Sequence, residues 1–148
     1  MTLKSFIYLS VLVFFISCGS SDSPKDLDKA REEGSKQLTS IQWIDSVRNF
    51  GKITEGQKLA VSFRFKNTGD KPLVIESVQP ACGCTVADYP KQPIKPGEEG
   101  EITGEFDSQG RVGQQHKEIT VTTNTAVHTQ KVTFEVTVMG KSPQATTN

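Results

Sequence analysis

What this chain lacks narrows its roles before anything it contains does. Histidine occurs twice, tryptophan once and cysteine three times, and aromatic residues make up only 7% of the 148 residues. No local motif sets a cysteine beside a histidine with a third group to orient it, so a Cys-His nucleophile is not indicated. Lys plus Arg and Asp plus Glu each number 17, and no stretch gathers one sign. A phosphate-binding surface needs a basic stripe, so nucleic acid is not an expected partner. Helical spacing of apolar residues is missing from the body of the chain. No apolar run approaches the roughly 20 helical residues that a bilayer core demands. The length suits one domain with a proper core.

The one apolar run lies at the N-terminus. Lys4 precedes a nearly unbroken apolar stretch from Phe6 to Ile16, then Ser17, Cys18 and Gly19. A run that short reads as the core of an export signal. Phe15-Ile16-Ser17-Cys18 resembles a bacterial lipobox, with cleavage after Ser17 and a diacylglycerol thioether on Cys18; Phe15 departs from the more usual Leu. The expected layout is a lipoprotein signal peptide over 1–17 and a lipidated Cys18 with a flexible tether over 18–40. No cofactor is expected beyond that covalent lipid. Several acyl chains at about 0.8 kcal/mol per buried methylene would hold the protein on a membrane. Gly19, where Asp would resemble an inner-membrane retention signal, points to the outer membrane facing the periplasm, with surface exposure left open by Ser20-Ser21-Asp22. From Gly19 to Ser40 only Leu27, Ala30 and Leu38 are apolar, too little to bury against anything. Asp26 to Glu33 has the charges for two helical turns, marginal alone.

The folded unit is expected over 41–140, followed by a disordered tail over 141–148. Leu59, Val61, Phe63 and Phe65 alternate with largely polar residues, as a half-buried strand requires. Ile102, Gly104 and Phe106, then Ile119 and Val121, then Val132, Phe134, Val136 and Val138 repeat the pattern. Ile41 to Phe50 and Leu73 to Val78 supply two more strands. Asn67-Thr68-Gly69-Asp70 reads as a hairpin-like turn with positive φ, and Pro96-Gly97 and Gly110 to Gly113 as further breaks. These runs predict an all-β fold, a single immunoglobulin-like antiparallel sandwich of about seven strands.

Asn49-Phe50-Gly51-Lys52-Ile53, Phe63-Arg64-Phe65-Lys66-Asn67-Thr68-Gly69, Pro72-Leu73-Val74-Ile75, Cys82-Gly83-Cys84-Thr85, Pro93-Ile94-Lys95-Pro96-Gly97 and Thr123-Asn124 occur in this order. Together they resemble the bacterial family called Domain of Unknown Function 1573. The resemblance implies an immunoglobulin-like domain of the ASH/MSP type and a place among envelope lipoproteins. It implies no activity or catalytic residue.

With Cys18 assigned to lipid, Cys82 and Cys84 remain as an even pair in an oxidising compartment. Three readings stay open. In the first, a local disulfide or a buried thiol pair pins the end of a strand. In the second, a bridge across one residue closes a small strained ring, so it is readily reduced and could serve redox exchange. In the third, two thiolates on one face hold a soft ion such as Cu(I). A closed zinc site would need two further ligands, with His116 and His128 the candidates. No metal is assigned. No basic residue adjoins the pair in sequence to lower a thiol pKa. Trp43, beside Ile41 and Val47, reads as core. The combination suggests a non-catalytic, lipid-anchored sandwich of the cell envelope that binds or organises other envelope components, an envelope protein being the expected partner, with thiol redox or Cu(I) binding at Cys82-Gly83-Cys84 as the alternative.

Overall fold

A computed structural model describes residues 24–141. The expected signal peptide, Cys18 and the tail from 142 lie outside the described residues. Two four-stranded sheets face each other. The first runs β1 (Ile41–Trp43), β3 (Lys58–Asn67), β6 (Glu99–Asp107) and β5 (Thr85–Asp88) in that spatial order. The second runs β2 (Val47–Thr54), β8 (Thr129–Met139), β7 (Gly113–Thr123) and β4 (Ile75–Pro80). Each strand turns its alternate apolar side chains inward, because a pleated strand sends successive residues to opposite faces. Phe63, Phe65, Ile102 and Phe106 from the first sheet meet Ile119, Val121, Val132 and Phe134 from the second, all with no exposed surface. Phe106 and Phe134 join across the interface edge to face, 5.8 Å between ring centroids.

The sandwich differs from the expected one in three places. The stretch expected as one strand over Ile41 to Phe50 divides: Ile44 and Asp45 both donate backbone N–H to Arg64 O, while Thr133 N donates to Ser46 O. The chain thereby leaves the first sheet and joins the second within a few residues. There β2 runs parallel to β8, an exception to the antiparallel expectation, with a register shift between Asn49 and Lys52 where Gly51 takes φ 71°. Second, β5 follows the cysteine pair as a short strand that alternation did not reveal.

Third, Asn67-Thr68-Gly69-Asp70 is not a hairpin turn. β3 and β4 belong to different sheets, and the segment has no positive φ. Glycine is needed at 69 for room, since a Cβ there would collide with Thr39 Oγ1 and the backbone nitrogen of Ser40.

Within the expected tether, Pro24–Ser35 forms helix α1. Leu27, Arg31 and Gly34 lie on one side, at the i, i+4, i+7 spacing that makes a helix face, and are its less exposed positions. The segment expected to bury against nothing is thus docked, and polar contacts do the holding in place of an apolar stripe. Arg31 donates through Nη2 to Ile75 O at 2.8 Å and through Nη1 to Lys91 O. Asn124 Nδ2 donates to Gly34 O at 3.0 Å and Gln37 O at 2.8 Å, satisfying carbonyls that a helix end leaves without partners. The folded part therefore begins well before Ile41. Among the described residues no helix is long and apolar enough to cross a membrane.

Candidate functional site

The cysteine pair occupies the connection that carries the chain from β4, in the second sheet, to β5, in the first. Cys82 and Cys84 are joined by a disulfide with Cα atoms 5.2 Å apart. Cys84 is 6% exposed and belongs to the core, whereas Cys82 is half-buried against it and Gly83 is exposed. Three backbone hydrogen bonds hold the segment independently of the sulfurs. Ala81 N donates to Glu118 O at 3.0 Å, Thr85 N to Cys82 O at 3.3 Å and Asp107 N to Cys84 O at 2.9 Å. Thr85 Oγ1 stands 3.9 Å from both sulfur atoms, and its residue is buried. As a brace the bridge is weak: closing so short a loop removes about 1–2 kcal/mol of chain entropy on the loop-length model.

The fold brings one cation to this end that adjacency in sequence did not reveal. Lys117 on β7 places Nζ 5.7 Å from the centroid of the Phe106 ring, and Phe106 is the register partner of Thr85. The segment holding the cysteines lies beside the same stretch of β7, through the bond from Ala81 to Glu118. After β5, Tyr89 N–H and the Lys91 ammonium hold the Asp88 carboxyl below its ordinary pKa.

Neither histidine joins the cysteines. His116 Nδ1 lies 3.2 Å from Glu135 Oε1 on the exposed side of the β7–β8 pair. His128 Nε2 lies 3.5 Å from Glu76 Oε2. Among the described residues no group of three or more His, Cys, Asp or Glu side chains is placed to hold a metal ion. Trp43 packs edge to face on Phe65 with centroids 5.5 Å apart and donates Nε1–H to Gln130 Oε1 at 2.6 Å. It bridges the two sheets, partly buried against the core rather than within it.

Sequence reasoning did not find the second surface feature. Thr39, Ile41, Thr125, Ala126, Val127 and Gln130 line, with Ser40, a shallow depression of about 250 Å³ where the chain enters β1 and the β7–β8 turn closes. Leu38 at 68% exposure precedes Thr39, and Val127 at 65% exposure lines the depression itself. Exposed apolar side chains at a turn carry no periodic signal. Only the tertiary placement of 38–41 against 125–130 assembles them.

Two four-stranded sheets in this order, with the N-terminal segment divided between them, define an immunoglobulin-like sandwich. The chain belongs to the family described as protein of unknown function (DUF1573), whose model matches residues 41–138. Among solved structures it is similar to a protein of unknown function from Porphyromonas gingivalis W83, with 17% identity, TM-score 0.61, and coverage of 70% of this chain and 48% of that one. It is similar also to an ASH/PapD-like domain of human CEP192, with 11% identity, TM-score 0.54, and coverage of 71% and 89%. A third likeness is to the secreted serine protease VesC from Vibrio cholerae, with 9% identity, TM-score 0.52, and coverage of 77% and 26%. The chain thus spans less than half the length of the Porphyromonas and VesC chains, and these likenesses concern the fold alone. No curated protein sequence matches it.

Proposed function

We propose that this chain is a lipid-anchored, non-catalytic module of the cell envelope, on the periplasmic face of the outer membrane. It binds a protein partner through the depression at Val127. The observation that carries the reading is the placing of two exposed apolar side chains, Leu38 and Val127, at a depression that Ile41 and Ala126 also make partly apolar. Exposed apolar side chains beside a depression are what protein contact sites offer. Charges on the outer face of the other sheet are arranged against one another, with Lys58 Nζ 2.7 Å from Glu105 Oε1 and Arg64 Nε 2.8 Å from Asp45 Oδ2.

Pro24 is six positions after Cys18, a span of about 20 Å even fully extended, so a lipid on Cys18 would keep the sandwich close to the membrane surface. The test uses full-length protein extracted from envelope membranes after mild crosslinking. One reproducible partner is expected, with recovery falling at least about tenfold, or about 1.4 kcal/mol, in Val127→Asp and staying unchanged in Lys58→Gln. Undiminished recovery in V127D overturns the surface. An N-terminal peptide whose mass shows a free Cys18 thiol overturns the anchor.

A further inference from the structure

We propose that Cys82–Cys84 is a thiol–disulfide exchange site that accepts two electrons from a protein dithiol, attacked at Sγ of Cys82. The inference is independent of the partner surface at Val127. Three observations carry it. The bridge joins residues that backbone hydrogen bonds to Glu118, Cys82 and Cys84 carbonyls already fix, so opening it leaves both sulfurs in place. The two sulfurs are unequal, since Cys84 is core and Cys82 half-exposed. The outer side of the loop is open: a Cβ built on Gly83 would meet nothing within 4 Å, leaving space for an incoming chain.

The chemistry balances within the pair and its partner. A partner thiolate attacks Sγ of Cys82, forming a mixed disulfide as the Cys82–Cys84 bond breaks, and Sγ of Cys84 departs as a thiolate. Thr85 Oγ1, 3.9 Å from that sulfur, is the nearest hydroxyl to donate to it before it takes a proton from water. The partner's second thiolate then attacks the partner sulfur of the mixed disulfide and releases Cys82. Two electrons and two protons have moved, the partner dithiol has become a disulfide, and this chain holds two thiols. Thr85 is a positioning residue and reacts with nothing.

Full-length protein in non-denaturing detergent is treated with millimolar reduced glutathione as the probe and then with a maleimide of known mass, while the fluorescence of Trp43 is followed. The expected result is one label without denaturant, at Cys82, beyond any at Cys18, and a second at Cys84 once the protein is denatured, with Trp43 emission unchanged before denaturation. Quenched early in acid, the wild type should carry its glutathione adduct on Cys82. With oxidised glutathione as the probe, so that the remaining thiolate attacks its disulfide and releases one glutathione thiolate, Cys84→Ser should form the adduct about tenfold faster than Cys82→Ser. Labelling of Cys82 that requires denaturant, a change in Trp43 emission on reduction, or an adduct mapping first to Cys84 each overturns the proposal. Adduct mapping on the wild type keeps the test intact if either variant fails to fold.

Discussion

Asn67 has no exposed surface, and every polar atom of its side chain is used. Nδ2 donates to Lys71 O at 2.7 Å and Ile94 O at 2.9 Å, while Oδ1 accepts from Thr39 Oγ1 at 3.0 Å and Gly69 N at 3.1 Å. Asn124 does the same work elsewhere, donating to three carbonyls and accepting from Val74 N at 2.8 Å. The two amides tie irregular segments that have no ladder of their own, and a buried backbone group without a partner is costly. Asn67→Ala should therefore cost about 3 kcal/mol, seen as a lowered urea midpoint at unchanged slope. A loss under about 0.5 kcal/mol would mean that water replaces the amide. Both asparagines are visible in the motif string, but their partners are not. Asn67 and Ile94 are separated by 27 positions, and local pattern carries no information at that range. The local turn reading of Asn67-Thr68-Gly69-Asp70 failed for the same reason, because what the segment accommodates is Thr39.

Helix α1 illustrates how an element can fold against its own composition. The Lys29–Glu33 pair within it and the Glu32–Lys36 pair at its end have the spacing that favours a helix, and the interleaved charges over Asp26 to Glu33 were legible. Its docking was not, because the face it buries reads Leu, Arg, Gly rather than a run of apolar residues. Gly34 is the closest approach: a Cβ added there would lie 2.8 Å from Val74 Cγ2. In an isolated helix, exchanging glycine for alanine stabilises by about 1 kcal/mol. Here Gly34→Ala should act oppositely on docking, pushing the helix away and lengthening the Asn124 bonds to Gly34 O and Gln37 O. Hydrogen exchange should speed up by about tenfold or more in the amides of 28–35 and stay unchanged in β7 and β8. Slower exchange in α1 would show that Val74 yields and that propensity wins. Loss of docking would also lengthen the reach between Cys18 and the sandwich, since residues 24–40 would add to the linker.

At the scale of the whole molecule, period-two alternation made the core readable. Every residue placed inward on β8 from sequence, Val132, Phe134, Val136 and Val138, is at most 1% exposed. Sheet membership was not readable, because a strand's faces are written in its own residues while its neighbour is chosen by the rest of the chain. The division of 41–54 between sheets and the parallel pairing of β2 with β8 belong to that second kind of information. So does the position of Lys117 near the cysteine end, which no adjacency in sequence announces. The division also makes the two sheets one cooperative unit. Trp43 of β1 is bonded to Gln130 of β8, and Phe134 of β8 meets Phe106 of β6 at 5.8 Å and Phe50 of β2 at 6.0 Å. Removing the Phe134 ring empties space that neither backbone can close without breaking its ladder, so Phe134→Ala should cost about 3–5 kcal/mol. Domains of this size hold about 5–15 kcal/mol in total, so the variant should unfold at a far lower urea concentration. Trp43 fluorescence reports the seam between the sheets and far-UV circular dichroism reports the strands. Because the seam and the strands share Phe134, the two signals should fall together in one transition. A fluorescence change well ahead of the loss of strand signal would mean that the sheets part before they melt.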